Sequence, residues 1–249
     1  MTTTDTVLGL GQHGLCANCP HTDRLEASRC QPGDACVRAH SGRQIDRFLR
    51  ANPDVADRYL KDGFWERRAI AVRYAPVESI LALQNDSDEV VRRAVVMRLP
   101  PDELKVMSKD PDREVRITVA QRMSPDLLLP MASDSDYMVR VVVARRLSHG
   151  KLPKMANDPE REVRKTVAQR LPAFALARML GDPEPEVRRI VAERGLPDDV
   201  VVLLEDPDWL VRLAAVQNAP RESVRIALDD PEPDVRHMAW QRLAEAETS

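Results

Sequence analysis

Hydrophobic and polar positions recur along this chain with a period of 24 residues. An aspartate marks each of eight copies: Asp62, Asp86, Asp110, Asp134, Asp158, Asp182, Asp206 and Asp230. When this aspartate is counted as position 1, apolar residues stand at positions 6, 9, 10, 11 and 14. That spacing is typical of one face of an α-helix. The first half of every repeat is therefore predicted to be a short amphipathic helix.

Polar residues and prolines predict where each helix begins and ends. Aspartate is a favourable N-cap, and the proline that often follows it suits the first helical position. Prolines at position 15 predict that the helix ends near position 14. The second half of the repeat is apolar at positions 19 and 22, which favours a 3₁₀ turn or one short helical turn. The valines at 200–202 leave a strand open as an alternative.

A helix this short buries too little surface to be stable alone, so neighbouring copies are expected to stack into a solenoid. The predicted organisation is a disordered N-terminus at residues 1–10, a cysteine domain at 11–45, a degenerate repeat that caps the solenoid at 46–61, and eight repeats at 62–249, the last truncated. The composition fits this division, because 19 prolines against 9 glycines and 4% aromatic residues suit a punctuated aliphatic solenoid.

The repeat unit DPxxxVRxxVAxRLPxxxLxxMxxD resembles the leucine-rich repeat variant family. The resemblance implies an all-α fold, a right-handed superhelical solenoid of alternating α- and 3₁₀-helices. Three residues depart from the unit: Arg67, Tyr74 and Gly195. They are expected to disturb local packing and to leave the fold unchanged.

An arginine occupies position 7 of all eight copies: Arg68, Arg92, Arg116, Arg140, Arg164, Arg188, Arg212 and Arg236. Such a row suggests either a surface that binds nucleic-acid phosphates or a set of structural ion pairs. Position 7 lies beside the apolar face, and the net charge is −3, so we favour pairs with carboxylates or helix-end carbonyls between stacked repeats.

All four cysteines precede the repeats, with the spacing C-x₂-C-x₁₀-C-x₅-C: Cys16, Cys19, Cys30 and Cys36. Thiolates at such spacing predict a metal site, and the residues alone leave zinc and a 4Fe–4S cluster about equally open. The segment also resembles the iron–sulfur domain found ahead of leucine-rich repeat variant repeats. This implies that all four cysteines ligate a 4Fe–4S cluster, with one zinc ion as the alternative. His13, His21 and His40 lie nearby and are expected to be solvated or to support the ligands.

The leading functional hypothesis is a non-enzymatic repeat scaffold that carries a 4Fe–4S cluster of structural or electron-transfer role and binds a protein through the solenoid surface. The alternatives are a redox accessory or electron carrier, and a nucleic-acid-binding solenoid that uses the arginine rows. No set of residues typical of an enzyme's active site appears. No apolar stretch suits a membrane span and no secretory signal is visible, so a cytoplasmic monomer is expected.

Overall fold

The computed structural model describes residues 13–244 and consists of α-helices that alternate with 3₁₀-helices. Within that range it contains no β-strand, only an isolated bridge between Gln31 and Ala35. The α-helices of the repeats span Trp65–Val72, Glu89–Arg98, Arg113–Arg122, Tyr137–Arg146, Arg161–Arg170, Pro185–Arg194, Trp209–Asn218 and Pro233–Ala244. The 3₁₀-helices after them span Leu81–Asn85, Pro101–Met107, Pro125–Leu127, Leu129–Ser133, Leu152–Met155, Ala173–Met179, Asp199–Glu205 and Arg225–Asp229. The predicted alternation is confirmed, and the strand alternative at 200–202 is wrong.

Three further helices precede the repeats: His13–Cys16, Thr22–Glu26 and Gly42–Ala51, the last followed by a 3₁₀-helix at Pro53–Tyr59. The domain bounds at residues 45 and 61 stay predictions, and the predicted disorder of residues 1–10 lies outside the described part of the chain. Among residues 13–244, no helix has the length and apolar character that crossing a membrane requires.

The chain divides into two compact units, Met1–Met123 and Ser124–Ser249. In each unit the α-helices of successive repeats pack side by side. The predicted apolar positions form the core, as Val163, Val167, Ala168, Leu171 and Leu176 are all fully buried. These are positions 6, 10, 11, 14 and 19 of one repeat, so both halves of the unit contribute to the same core.

The helices begin two residues later than predicted. In the third repeat the N-cap is Asp112 at position 3, whose carboxylate accepts the backbone N–H of Glu114 at 2.9 Å and of Val115 at 3.1 Å. Asp110 at position 1 instead accepts the N–H of Asp112 at 2.9 Å. The prediction that position 1 is the N-cap is wrong, because this carboxylate orders the turn before the helix and binds an arginine of the preceding repeat.

The arginine at position 7 grips the aspartate of the next repeat with both arms of its guanidinium. Arg164 donates from Nε to Asp182 at 2.7 Å and from Nη2 at 3.1 Å, while Nη1 donates to the carbonyl of Asp158 at 2.8 Å. The same pairing joins Arg68 to Asp86, Arg92 to Asp110, Arg140 to Asp158, Arg188 to Asp206, and Arg212 to Asp230. The interpretation of these arginines as structural ion pairs is confirmed.

The arginine at position 13 satisfies the end of the preceding helix. Arg170 donates from Nη1 to the carbonyl of Ala144 at 2.6 Å and to that of Leu147 at 2.7 Å. The last carbonyls of a helix have no partner inside it, so a donor from the next repeat stabilises that end. The two arginine positions thus serve opposite ends of the repeat.

The three departures from the repeat unit are absorbed locally. Arg67 forms an ion pair with Asp62 at 2.8 Å and lies over the ring of Phe64. The hydroxyl of Tyr74 donates to Asp46 at 2.9 Å. Gly195 lies directly against Val200, as the fifth repeat passes into the sixth repeat's 3₁₀-helix.

Candidate metal centre

The first two cysteines lie on either side of a tight turn. Cys16 ends a four-residue helix, and the backbone N–H of Cys19 donates to the carbonyl of Cys16 at 3.1 Å. Asn18 between them has a φ of 55°, a left-handed conformation that asparagine adopts more readily than most residues. The turn brings the two cysteines to the same side of the loop.

The other two cysteines flank a second tight loop. The N–H of Cys30 donates to the carbonyl of Arg24 at 3.0 Å, which fixes the chain after the helix Thr22–Glu26. The bridge between Gln31 and Ala35 closes the loop, and Gly33 at its tip has a φ of 86°, which favours glycine. The spacing of five residues between these cysteines therefore corresponds to one closed turn.

The four thiols act on one another electrostatically. Burial raises the pKa of Cys30 to about 11, and the charges of Cys36, Cys19 and Cys16 raise it further. Burial and the charges of Cys36 and Cys19 also raise the pKa of Cys16, which the guanidinium of Arg38 opposes. Each of these thiols senses the others, so the structure brings all four predicted residues into one group.

The donor set fits an iron–sulfur or metal centre in its chemistry. All four cysteines are free thiols; Cys36 is buried and the other three are half-buried. Among residues 13–244, no three His, Cys, Asp or Glu side chains are assembled in a ready metal-binding geometry. Neighbouring thiolates repel, as the raised pKa values of Cys16 and Cys30 record, and a bound cationic centre offsets that repulsion.

The histidines differ from expectation at one position. His21 is buried, not solvated: its ring packs 5.1 Å from that of Phe48, and its Nε2 forms a hydrogen bond with the hydroxyl of Tyr59. Burial, and after it the charge of Arg58, lowers the pKa of His21. His40 is exposed, 6.0 Å from the ring of Phe64. The side chain of His13 lies outside the described residues.

The arginine rows are the other candidate site, for nucleic acid. Arg92 and Arg164 are buried residues, and each uses both arms of its guanidinium on an aspartate. A guanidinium bound in this way has no donors left for a phosphate without breaking its pair. The rows therefore support the stacking of repeats and offer little to a nucleic acid.

Sequence reasoning missed two residues that touch the cysteine loops. Arg38 donates from Nη1 to the carbonyl of Ala17 at 2.5 Å, and Gln44 donates from Nε2 to the carbonyl of Gly33 at 2.6 Å. A signal was present in the sequence, because the 24-residue register extended back from Asp62 places Arg38 at position 1 and Gln44 at position 7. Neither is the residue type that those positions carry elsewhere.

Comparison with known proteins gives the family. Residues 10–58 match the family model described as LRV protein FeS4 cluster, and residues 161–184 match the model described as leucine rich repeat variant. A solved structure described as a leucine-rich repeat variant with a novel repetitive protein structural motif is 55% identical. The match covers 92% of this chain and 98% of that one, with a TM-score of 0.83. This chain belongs to the leucine-rich repeat variant family.

For this leucine-rich repeat variant protein the matching N-terminal family implies an iron–sulfur cluster in the cysteine domain. A curated relative, an uncharacterized 27.7 kDa protein in the nifB 3' region of Rhodobacter capsulatus, is 41% identical over 90 residues. That match covers 36% of this chain and 37% of the relative. The chain is therefore matched to about a third of that relative's length.

Proposed function

We propose that this leucine-rich repeat variant protein is a non-enzymatic scaffold whose N-terminal domain holds a 4Fe–4S cluster through Cys16, Cys19, Cys30 and Cys36. The observation that supports this most is the mutual electrostatic coupling of the four thiols in one small domain. A bound cluster supplies a one-electron redox couple or a structural cross-link. Four thiolate ligands leave no open position for substrate, which favours a structural or electron-transfer role over catalysis.

The residues around the thiols suit this role. Cys36 is 5% exposed, so the protein excludes water from its sulfur. The guanidinium of Arg38 lies close enough to Cys16 to favour its thiolate form. Local positive charge and partial burial are the means by which a protein tunes thiolate ligands.

The solenoid surface is proposed to bind a protein partner. Several large apolar side chains are exposed on the repeats, among them Phe174 at 74%, Val202 at 63% and Ile226 at 54%. Val202 and Ile226 both occupy position 21 of their repeats, on the 3₁₀ side. Exposed apolar side chains arranged by the repeat support a protein partner more than a polyanion, and the protein itself is proposed to be a cytoplasmic monomer.

Anaerobic purification with analysis of iron, sulfide and zinc tests the cofactor. We expect about four irons and four sulfides per chain and a broad visible absorption. The variants Cys16→Ser and Cys30→Ser should lose iron and colour. A colourless protein with one zinc ion per chain would contradict the 4Fe–4S assignment and support the alternative.

An electron-carrier role is the second candidate, favoured by the half-buried state of Cys16, Cys19 and Cys30. A reversible one-electron couple in voltammetry, with fast transfer to a redox protein, is the expected result for a carrier. A cluster that can be removed without loss of partner binding would instead support a purely structural role.

Nucleic-acid binding is tested by electrophoretic titration with DNA and RNA at physiological salt. The exposed arginines Arg145 and Arg189 are the sites for charge reversal, because the paired arginines would unfold the repeats instead. We expect no submicromolar binding. Submicromolar binding that is lost in Arg145→Glu and Arg189→Glu would overturn the scaffold interpretation of the arginines.

A further inference from the structure

The 24-residue register extends one copy further toward the N-terminus, over residues 38–61. The pairs that join the other repeats are absent there, because position 1 is Arg38 instead of aspartate and position 7 is Gln44 instead of arginine. Asp62, the next position 1, is gripped by Arg67 of its own repeat, with both carboxylate oxygens within 2.9 Å of Nη1. The degenerate repeat has thus given up the residues that other repeats use for stacking.

The substituted residues bind the cysteine loops instead. Arg38 donates to the carbonyl of Ala17, between Cys16 and Cys19. Gln44 donates from its side chain to the carbonyl of Gly33 at 2.6 Å, and its own carbonyl accepts the N–H of Cys36 at 3.1 Å. Positions 1 and 7 of this copy therefore hold two of the three cysteine-bearing loops.

Two more positions of the degenerate repeat make the same kind of contact. Asn52, at position 15 and fully buried, donates from Nδ2 to the carbonyl of Arg29 at 2.8 Å, immediately before Cys30. Tyr59, at position 22, bonds through its hydroxyl to His21, two residues after Cys19. Position 22 is an apolar residue in the full repeats: Leu83, Met107, Met131, Met155, Met179, Leu203 and Ala227.

We propose that the degenerate repeat is a template that holds the four thiols in position, with Arg38, Gln44, Asn52 and Tyr59 as positioning residues. Each of the four fixes the backbone or a side chain next to a different cysteine. Residues that orient the ligands of a metal centre control how tightly it is held. The inference rests on the proposed function in so far as the thiols hold a cluster.

The first test uses two substitutions that remove one polar contact each and two matched controls. Tyr59→Phe removes only the hydroxyl, and Tyr74→Phe makes the same change where the hydroxyl binds Asp46. Gln44→Leu removes the amide, and Gln84→Leu makes that change at a half-buried glutamine of the first full repeat. In the iron-loaded protein, iron release to a ferrous chelator should be about tenfold faster in the first variant of each pair. Equal rates in variant and control would overturn the proposal.

The second test is independent of the cluster. In iron-free protein, iodoacetamide labelling followed by peptide mass spectrometry gives a rate for each cysteine. We expect Tyr59→Phe to speed labelling mainly at Cys19 and Gln44→Leu mainly at Cys36, with unchanged rates in both controls. A general loss of folding would speed all four cysteines alike, and fast, equal labelling already in the wild type would also contradict the template.

The two tests separate the possible failures. If the wild type binds no iron or sulfide, the proposed function fails, while the residue-specific labelling still decides the template. If iron binds but the labelling and release rates match the controls, the template fails and the cluster assignment stands. Asn52→Ala is left out of both tests, because a fully buried residue with two donated hydrogen bonds is expected to affect folding itself.

Discussion

At the scale of single residues, the aspartate at position 1 has the most contacts to satisfy. The carboxylate of Asp206 accepts two hydrogen bonds from Arg188 and one from the backbone N–H of Asp208. It is a buried charge whose cost is offset by a bidentate partner and a backbone donor. The repeat therefore tolerates a charge in its interior because three donors converge on it.

Removal of one partner should be costly. Arg164→Leu leaves Asp182 as a buried, unpaired carboxylate, since the two side chains are 9% and 4% exposed. We expect the free energy of unfolding to fall by about 3–5 kcal/mol, measured by urea denaturation. The control is Arg189→Leu, whose pair with Glu193 is about half-exposed and should cost less than about 0.5 kcal/mol. Similar losses in the two variants would refute the buried-pair explanation.

The paired aspartates also predict the response to acid. The hydrogen bond from Arg212 holds the pKa of Asp230 below its usual value, against the opposing effect of burial. A lowered pKa contributes stability that is present above the unfolded value of about 4 and is lost as the pH falls through the folded value. The unfolding free energy should therefore decline below about pH 4, and less steeply in Asp230→Asn. Asp229→Asn, an exposed neighbour, should keep the wild-type slope.

At the scale of the element, each helix is completed by the next repeat. Asn218 replaces the arginine of position 13, yet its Nδ2 donates to the carbonyls of Ala192 and Gly195, both at 2.9 Å. Arg170 makes the equivalent pair of bonds two repeats earlier. A shorter side chain can therefore fill this position, because what the helix end needs is a donor and not a charge.

Gly195 shows how closely one helix end is packed. A Cβ at this position would lie 2.7 Å from the carbonyl oxygen of Val191 and 2.8 Å from a methyl of Val200. We expect Gly195→Ala to lower the unfolding free energy by about 1–3 kcal/mol, because the backbone contact cannot relax freely. Gly181→Ala, in the preceding repeat, has nothing within 4 Å of its Cβ and should be neutral in the same thermal or urea unfolding experiment. A neutral Gly195→Ala would mean that the helix end shifts at little cost.

At the scale of the whole molecule, each repeat depends on its neighbours and not on distant parts of the chain. In both units the packing of α-helices is between successive repeats. Stability in such a chain is close to a sum of repeat and neighbour contributions. The cysteine domain touches the repeats through the degenerate copy, so its loss should remain local.

This predicts the result of removing the cluster. The double variant Cys16→Ser/Cys30→Ser should lose iron and visible absorption but keep most of the far-UV circular dichroism, as should wild type stripped of iron by a chelator. Limited proteolysis should then cut first within residues 13–36. Loss of the helical signal along the whole chain would show that the cysteine domain supports distant repeats as well.

The sequence by itself determined the repeat, its α-helix and 3₁₀-helix, and the four cysteines as one set. These follow from local periodicity and from residue chemistry, which act within a few residues of the chain. The sequence also indicated that the arginines at position 7 serve structure. It did not identify their partners, because Arg188 binds Asp206, 18 residues ahead, and not the acid at position 3 of its own helix.

Tertiary structure decided the contacts that join one repeat to the next. The N-cap falls at position 3 because the carboxylate at position 1 is taken by an arginine of the preceding repeat. His21 is buried because Tyr59 and Phe48 lie across it, 38 and 27 residues away in sequence. Such partners are set by how copies stack, and a 24-residue period states that copies stack without stating which atoms meet.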